Sequence, residues 1–320
     1  MFHLHSSQKR QTDVKWVSTM QLTWVLICFA LSVKAVSAEE WCYQSQVNGN
    51  STCSGPDAWK TIVPQCGGRS QSPVNIVTKK SVKDERLTPL QYDGYQEVSD
   101  VLLKNNGHTA QLDLPPGIVI SGGQLAANYK ALQLHLHWGK EGSPGSEHTI
   151  DGEQFPMEMH IVHIKENYNS LPEATGDPSG IAVLGFFFEE SESDNKKYSS
   201  LVDALKRIVR PSSNATLPGI SLEMLIPPQS SLEKYFRYDG SLTTPGCAEA
   251  VVWTLFESTI PLSGSQLSAF WQLQFPEGEE MVQNYRPVQP LNSRRVLYSN
   301  GSAVLVSWVL LATSLLLSTV

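Results

Sequence analysis

Gln133-Leu134-His135-Leu136-His137-Trp138 is the stretch whose reading decides the fold. Apolar and polar residues alternate along it, the period of a strand with two unlike faces. His135 and His137 then share one face. Two imidazoles fixed side by side on a strand are half of a zinc site, because Zn2+ takes neutral nitrogen ligands in tetrahedral geometry. A catalytic zinc needs three protein ligands and one open position. A second run, Glu158-Met159-His160-Ile161-Val162-His163, follows a turn-rich spacer and can supply the third. On a strand, Glu158, His160 and Val162 share one face, and Met159, Ile161 and His163 the other. Alternation alone does not choose between the faces. Glu158 can accept the free ring N–H of His160, the usual outer support of a metal-bound histidine, and this favours His160 over His163.

Working outward, the flanking sequence reads as more strands. Val101-Leu102-Leu103 and Gln111-Leu112-Asp113-Leu114 flank Asn105-Asn106-Gly107, a hairpin signal. Residues 118–120, 155–165, 221–226 and 250–256 carry strand-type runs, and 181–188 is a continuous apolar run that suits a strand buried on both faces. Two segments have helical spacing: 197–209, stopped by Pro211, and 265–273, with Ser263 as its cap. Many strands, few helices and no strand–helix alternation predict a mainly β (α+β) fold. It would be a single domain around a large, mostly antiparallel twisted central sheet with a few short peripheral helices.

The 320-residue chain is 41% hydrophobic and 17% charged, a globular balance. Its net charge of −7 and lack of basic runs argue against a nucleic-acid partner. Both ends read as processing signals. Residues 21–33 are apolar and end in Val36-Ser37-Ala38, so 1–38 reads as a signal peptide, with Met20 as an alternative start; an N-terminal anchor helix is the competing reading. Residues 303–320 are apolar without a charge, after the small residues Ser299-Asn300-Gly301-Ser302. No basic residue follows, as a spanning helix would want, so 300–320 reads as a GPI-attachment propeptide with Ser299 or Asn300 as the attachment residue; a tail-anchored helix is the alternative. Residues 39–299 remain as one domain, on the extracellular face of the plasma membrane.

Cys28 falls in the signal. Cys42, Cys53, Cys66 and Cys247 make an even set in a secreted chain. Of three pairings, proximity favours Cys42–Cys53, which leaves Cys66–Cys247. Asn50 and Asn214 begin glycosylation motifs and are expected at the surface.

Beyond these readings, Ser146-Glu147-His148-Thr149-Ile150, with Phe155, Glu158, His160, Ile161 and Val162, resembles the signature of the α-class carbonic anhydrases. Gln71-Ser72-Pro73-Val74-Asn75-Ile76, Asn106-Gly107-His108, His135-Leu136-His137-Trp138-Gly139, Ser241-Leu242-Thr243-Thr244-Pro245 and Asn284-Tyr285-Arg286-Pro287 are similar to motifs of the same family, in the same order. The cysteine pairing and apolar tail resemble its GPI-anchored extracellular, carbonic anhydrase IV-like branch.

The resemblance implies one Zn2+ on His135, His137 and His160, with His163 structural, and reversible hydration of CO2 to bicarbonate and a proton by zinc-bound hydroxide. The pKa of about 7 for the bound water is an established value of this family and is carried by the resemblance. It further implies that Thr243 takes the hydroxide's proton and donates its own to Glu147, and that His108 shuttles protons, as an unperturbed pKa near 6.5 suits. Val162, Val183, Leu242 and Trp253 would form an apolar pocket for CO2, with Thr244 contacting bicarbonate. Asn106, Gln111 and Gln133 would hold a water chain. Gly246 and Tyr285 depart from residues common in the family, and Gly246 makes the Thr243 loop more dependent on the Cys247 disulfide. A bicarbonate transporter or proton exchanger is the partner class such an activity serves, and a monomer is expected. The competing readings are a non-catalytic binding module and a zinc ester hydrolase; intact histidines at all three ligand positions, with Thr243, Glu147 and His108, weigh against the first.

Overall fold

The computed structural model describes residues 41–47 and 52–301. The expected signal peptide, the apolar tail beyond Gly301, Cys28 and Asn50 lie outside the described residues.

A sheet organises the domain. Its strands run in the order Asn214–Ile220, Ser99–Asn105, Ala110–Asp113, Tyr129–Trp138, Met157–Lys165, Ile181–Ser191, Val251–Phe256, Lys234–Gly240, Leu297–Asn300 and Val82–Lys83. Most neighbours are antiparallel, as expected. Ile181–Ser191 instead runs parallel to Val251–Phe256 and to Ile260–Ser263, and Leu297–Asn300 runs parallel to Val82–Lys83. Ile181–Ser191 is central, and its first eight residues are all buried, which accounts for the unbroken apolar run.

The two strands with histidines are antiparallel neighbours. His160 stands opposite His135 and Glu158 opposite His137. Side chains alternate between two separate apolar clusters. Leu134, Leu136, Met159, Ile161, Leu184 and Phe186 enter the larger one on one face. Val162, Val183, Phe187, Tyr238 and Trp253 enter the other, on the histidine face.

Helices are short and peripheral. Gly264–Phe270 opens with the expected Ser263 cap, completed by Gln266 as a capping box. Ser199–Leu205 ends sooner than helical spacing to 209 predicted, although Ile208 is buried. The strand expected at 221–226 is instead the helical turn Leu222–Leu225. The strand is the preceding segment, Asn214–Ile220, whose Pro218 and Gly219 hid it. It lies at the sheet edge and slips register between Leu217 and Ile220, the setting in which a strand tolerates proline. Asn214 and Thr216 are both exposed on it. Two disulfides join Cys42 to Cys53 and Cys66 to Cys247, the pairing expected.

Candidate metal centre

His135, His137 and His160 bring one ring nitrogen each to a common point, all within 4.8 Å of one another. His160 Nδ1 and His135 Nε2 are 3.3 Å apart. Nitrogens about 2.0–2.1 Å from one Zn2+ at a tetrahedral angle would be separated by about 3.3 Å. The spacing fits.

The opposite nitrogen of each ring is already engaged, which fixes its direction. Gln133 Oε1 lies 2.8 Å from His135 Nδ1, the carbonyl of Asn284 2.8 Å from His137 Nδ1, and Glu158 Oε1 2.7 Å from His160 Nε2. Each acceptor takes the N–H and leaves the inward nitrogen a lone pair. His137 Nε2 is buried with no protein hydrogen-bond partner. Such an orphan on the inner side of a triad is what a metal would satisfy. Burial, then the neighbouring His137 and His160, hold the pKa of His135 well below the usual histidine value; burial also lowers that of His137. Both stay neutral, the ligating form.

Glu158 holds more than one ring. Its Oε1 also accepts from His148 Nδ1 at 2.7 Å, and its Oε2 accepts the backbone N–H groups of Glu147 and His148. Burial alone would raise its pKa. The charge and hydrogen bonds of His148 and His160 outweigh that and hold it well below the carboxylate range. His148, Glu158 and His160 also cluster closely enough to suggest a metal, but their atoms already bond one another.

Glu147 is buried at the rim of the triad. Its Oε1 accepts the Arg286 N–H at 2.8 Å, while Oε2 has no hydrogen-bond partner and lies 3.5 Å from His137 Nε2. The expected hydrogen bond from Thr243 is not made here. Thr243 is buried in the loop after Lys234–Gly240, which Cys247 N closes onto Thr244 O and where Gly246 takes φ +108°, open to glycine. Val162, Val183 and Trp253 pack in one cluster with half-buried Leu242 against it, and the Trp253 ring centre lies 4.8 Å from that of His160. The expected pocket residues are together.

His163 points to the opposite face. Its ring bonds Tyr95 Oη at 2.9 Å and the Ile161 carbonyl at 3.0 Å, and burial pushes its pKa down to about 4.

The profile of the eukaryotic-type carbonic anhydrases matches residues 54–300. The chain belongs to that family. It is 40% identical to carbonic anhydrase 4 of Rattus norvegicus, over 90% of this chain and 94% of the relative. It is 41% identical to carbonic anhydrase 4 of Oryctolagus cuniculus, over 90% and 93%, and 37% identical to carbonic anhydrase 15 of Mus musculus, over 90% and 91%. As a carbonic anhydrase the chain is a carbonate dehydratase, an enzyme of CO2 hydration, in a zinc-dependent family.

Three residues of this carbonic anhydrase have contacts that the sequence reading did not include. Gln133, expected on a water chain, also holds His135 through its Oε1. His108 is half-buried rather than a free turn residue: its ring stacks on Trp41 at 4.0 Å and 15°, its Nδ1 has no hydrogen-bond partner, and burial lowers its pKa. Asn284, noticed only as a motif residue, supports the centre from below. Its carbonyl takes His137, its Oδ1 the Trp138 N–H at 2.7 Å, and its Nδ2 reaches the His108 carbonyl at 3.1 Å. Only its distance in sequence concealed this.

Proposed function

We propose that this carbonic anhydrase works with one Zn2+ on His135 Nε2, His137 Nε2 and His160 Nδ1, at the cell exterior. The observation that carries the reading is the convergence of three ring nitrogens whose outer partners fix their aim. Zinc held there supplies a Lewis acid that makes water a nucleophile near neutral pH.

The chain's own residues do the rest. Glu147, fixed by the Arg286 N–H, keeps Oε2 free to accept the Thr243 hydroxyl proton. Thr243 Oγ1 then faces substrate as an acceptor only, which selects the orientation of the attacking water. Val162, Val183, Leu242 and Trp253 present apolar surface to CO2, which has no charge or hydrogen-bond donor, while charged bicarbonate gains nothing there and leaves past Thr244. His108 passes the released proton to buffer.

The exterior address rests on the sequence: a signal peptide over 1–38, the catalytic domain over 39–299, and a GPI propeptide from 300. The cysteines paired as disulfides suit an oxidising compartment. Ser299 is buried, and its hydroxyl donates to the Leu87 and Glu233 carbonyls. Attachment at Asn300 keeps the Leu297–Asn300 strand whole, so Asn300 is the better of the two residues. Asn214 is exposed, as a glycan acceptor must be.

The test is stopped-flow CO2 hydration with metal analysis, before and after chelation. Activity lost with zinc and restored by it supports the reading; full activity in metal-free protein rejects it.

A further inference from the structure

A cavity of about 490 Å3 lies outside the catalytic machinery, between Lys80 of the helical turn Thr78–Lys80 and the segment 288–296. Lys80, Arg294 and Arg295 all line it, and no carboxylate does. In a chain of net charge −7 that is an unusual concentration of positive charge. Lys80 and Arg295 are exposed, and among the described residues neither forms an ion pair. Arg295 acts on Asp84, but Arg86 already bonds both oxygens of that carboxylate, at 2.9 and 2.6 Å.

Arg294 is built into the wall. Its Nε donates to the Leu291 carbonyl at 3.0 Å, its Nη1 to the Asp239 carbonyl at 3.0 Å, and its Nη2 to the carbonyls of Gln71 at 2.7 Å and Pro290 at 2.9 Å. Each partner is neutral, and the carboxylates of Glu249 and Asp239 act on Arg294 only from a distance. Its charge is therefore left in place.

Two further observations say what the cavity receives. Val288, 44% exposed, lines it, and Val82, 41% exposed, lies beside it, its N–H donating to the carbonyl of the wall residue Val296 at 2.8 Å. The strand Leu297–Asn300 then leads directly from Val296 towards the apolar tail, 303–320. Four strand residues span about 13 Å. A headgroup layer is about 5–8 Å deep and its charge is felt for about 8 Å more, so the tether keeps the cavity within reach of a bilayer. Free phosphate would answer the cations and leave Val82 and Val288 uncovered. A lipid phosphodiester answers both, since glycerol and acyl carbons follow its phosphate. We propose that this cavity docks the phosphodiester headgroup of a membrane lipid and lays the Val82–Lys83 edge of the sheet against the bilayer. This docking rests on the C-terminal anchor of the proposed function.

Photo-cross-linking tests it in the full enzyme, reconstituted in phosphatidylcholine vesicles with a trace of phosphatidylglycerol that carries a diazirine in its headgroup. Cross-links on 288–296 and 78–83 are expected, above those from a phosphatidylcholine probe, whose headgroup adds a cation. Lys80→Gln/Arg295→Gln should lose that excess with CO2 hydration unchanged. Lys196→Gln/Lys197→Gln removes as much charge from a different cavity and should keep it. Equal loss in both variants, or cross-links only elsewhere, overturns the proposal. So does their disappearance in physiological free phosphate at constant ionic strength, which would make phosphate the occupant. Flotation separates this docking from the anchor. Enzyme that does not float with the vesicles lacks the anchor, and the docking falls with it; enzyme that floats without cross-links at the cavity sinks the docking alone.

Discussion

His160 and His163 sit three residues apart on one strand, both buried, and yet do opposite things. His160 shares its face with Glu158, opposite His135 and His137, where every ring has an acceptor behind it and a free nitrogen in front. His163 faces the apolar cluster, with both nitrogens used by Tyr95 and Ile161 and none left to give. The same contrast runs through the two faces of the whole sheet. One is a polar basin of carboxylates and imidazoles in a dry wall; the other is a core interrupted by single polar groups. Burial lowers the pKa of His135 and His137 on one face, as it does that of His163 on the other. What turns neutrality into ligation is a second histidine across the strand pair, and only one face has it.

The largest effect should separate those two histidines. His160→Ala is expected to weaken metal binding by more than about 100-fold, beyond the range for losing an outer hydrogen bond, and to abolish CO2 hydration. His163→Gln should retain the metal. Metal retained by His160→Ala but lost from His163→Gln would reverse the assignment of the faces.

Next comes the shuttle. His108→Ala should slow turnover in dilute buffer by about 100-fold, at the low end for a positioned acid–base group, and concentrated imidazole buffer should restore it. An unchanged rate in dilute buffer would remove His108 from the mechanism.

Glu158→Gln tests the outer support of the polar face. Metal affinity should fall by about 10–100-fold while the fold survives, read by competition with a chromogenic chelator.

The smallest effect sharpens the back face. His163 has a folded pKa of about 4 against about 6.5 in the unfolded chain. Between those values the unfolded state binds the extra proton, so stability rises with pH. His163's contribution is complete above pH 6.5 and is lost as pH falls towards 4. From pH 7 to pH 5 the loss is about 2 kcal/mol. Urea unfolding at the two pH values should show a smaller difference for His163→Gln than for the parent; equal differences would mean that His163 is not held neutral by the fold.

Much of this was legible before any coordinates. The strand-type runs at Tyr129–Trp138 and 155–165 became strands, the apolar run at 181–188 became the doubly buried centre, and Ser263 became a helix cap. Asn214–Ile220 escaped because Pro218 and Gly219 break a strand everywhere except at an edge, and sequence does not mark edges. The same limit concealed Asn284 beneath His137 and the half-burial of His108 against Trp41.

By itself, the sequence determined what is local or covalent: strand periodicity, the supply of histidines and carboxylates, the cysteines, and the motifs that fix the family. It could not decide which face of a strand looks inward, because alternation is symmetric under exchange of the faces. Register across neighbouring strands breaks that symmetry. It sets His160 opposite His135, leaves His163 opposite Ala131, and exists only once the sheet has assembled.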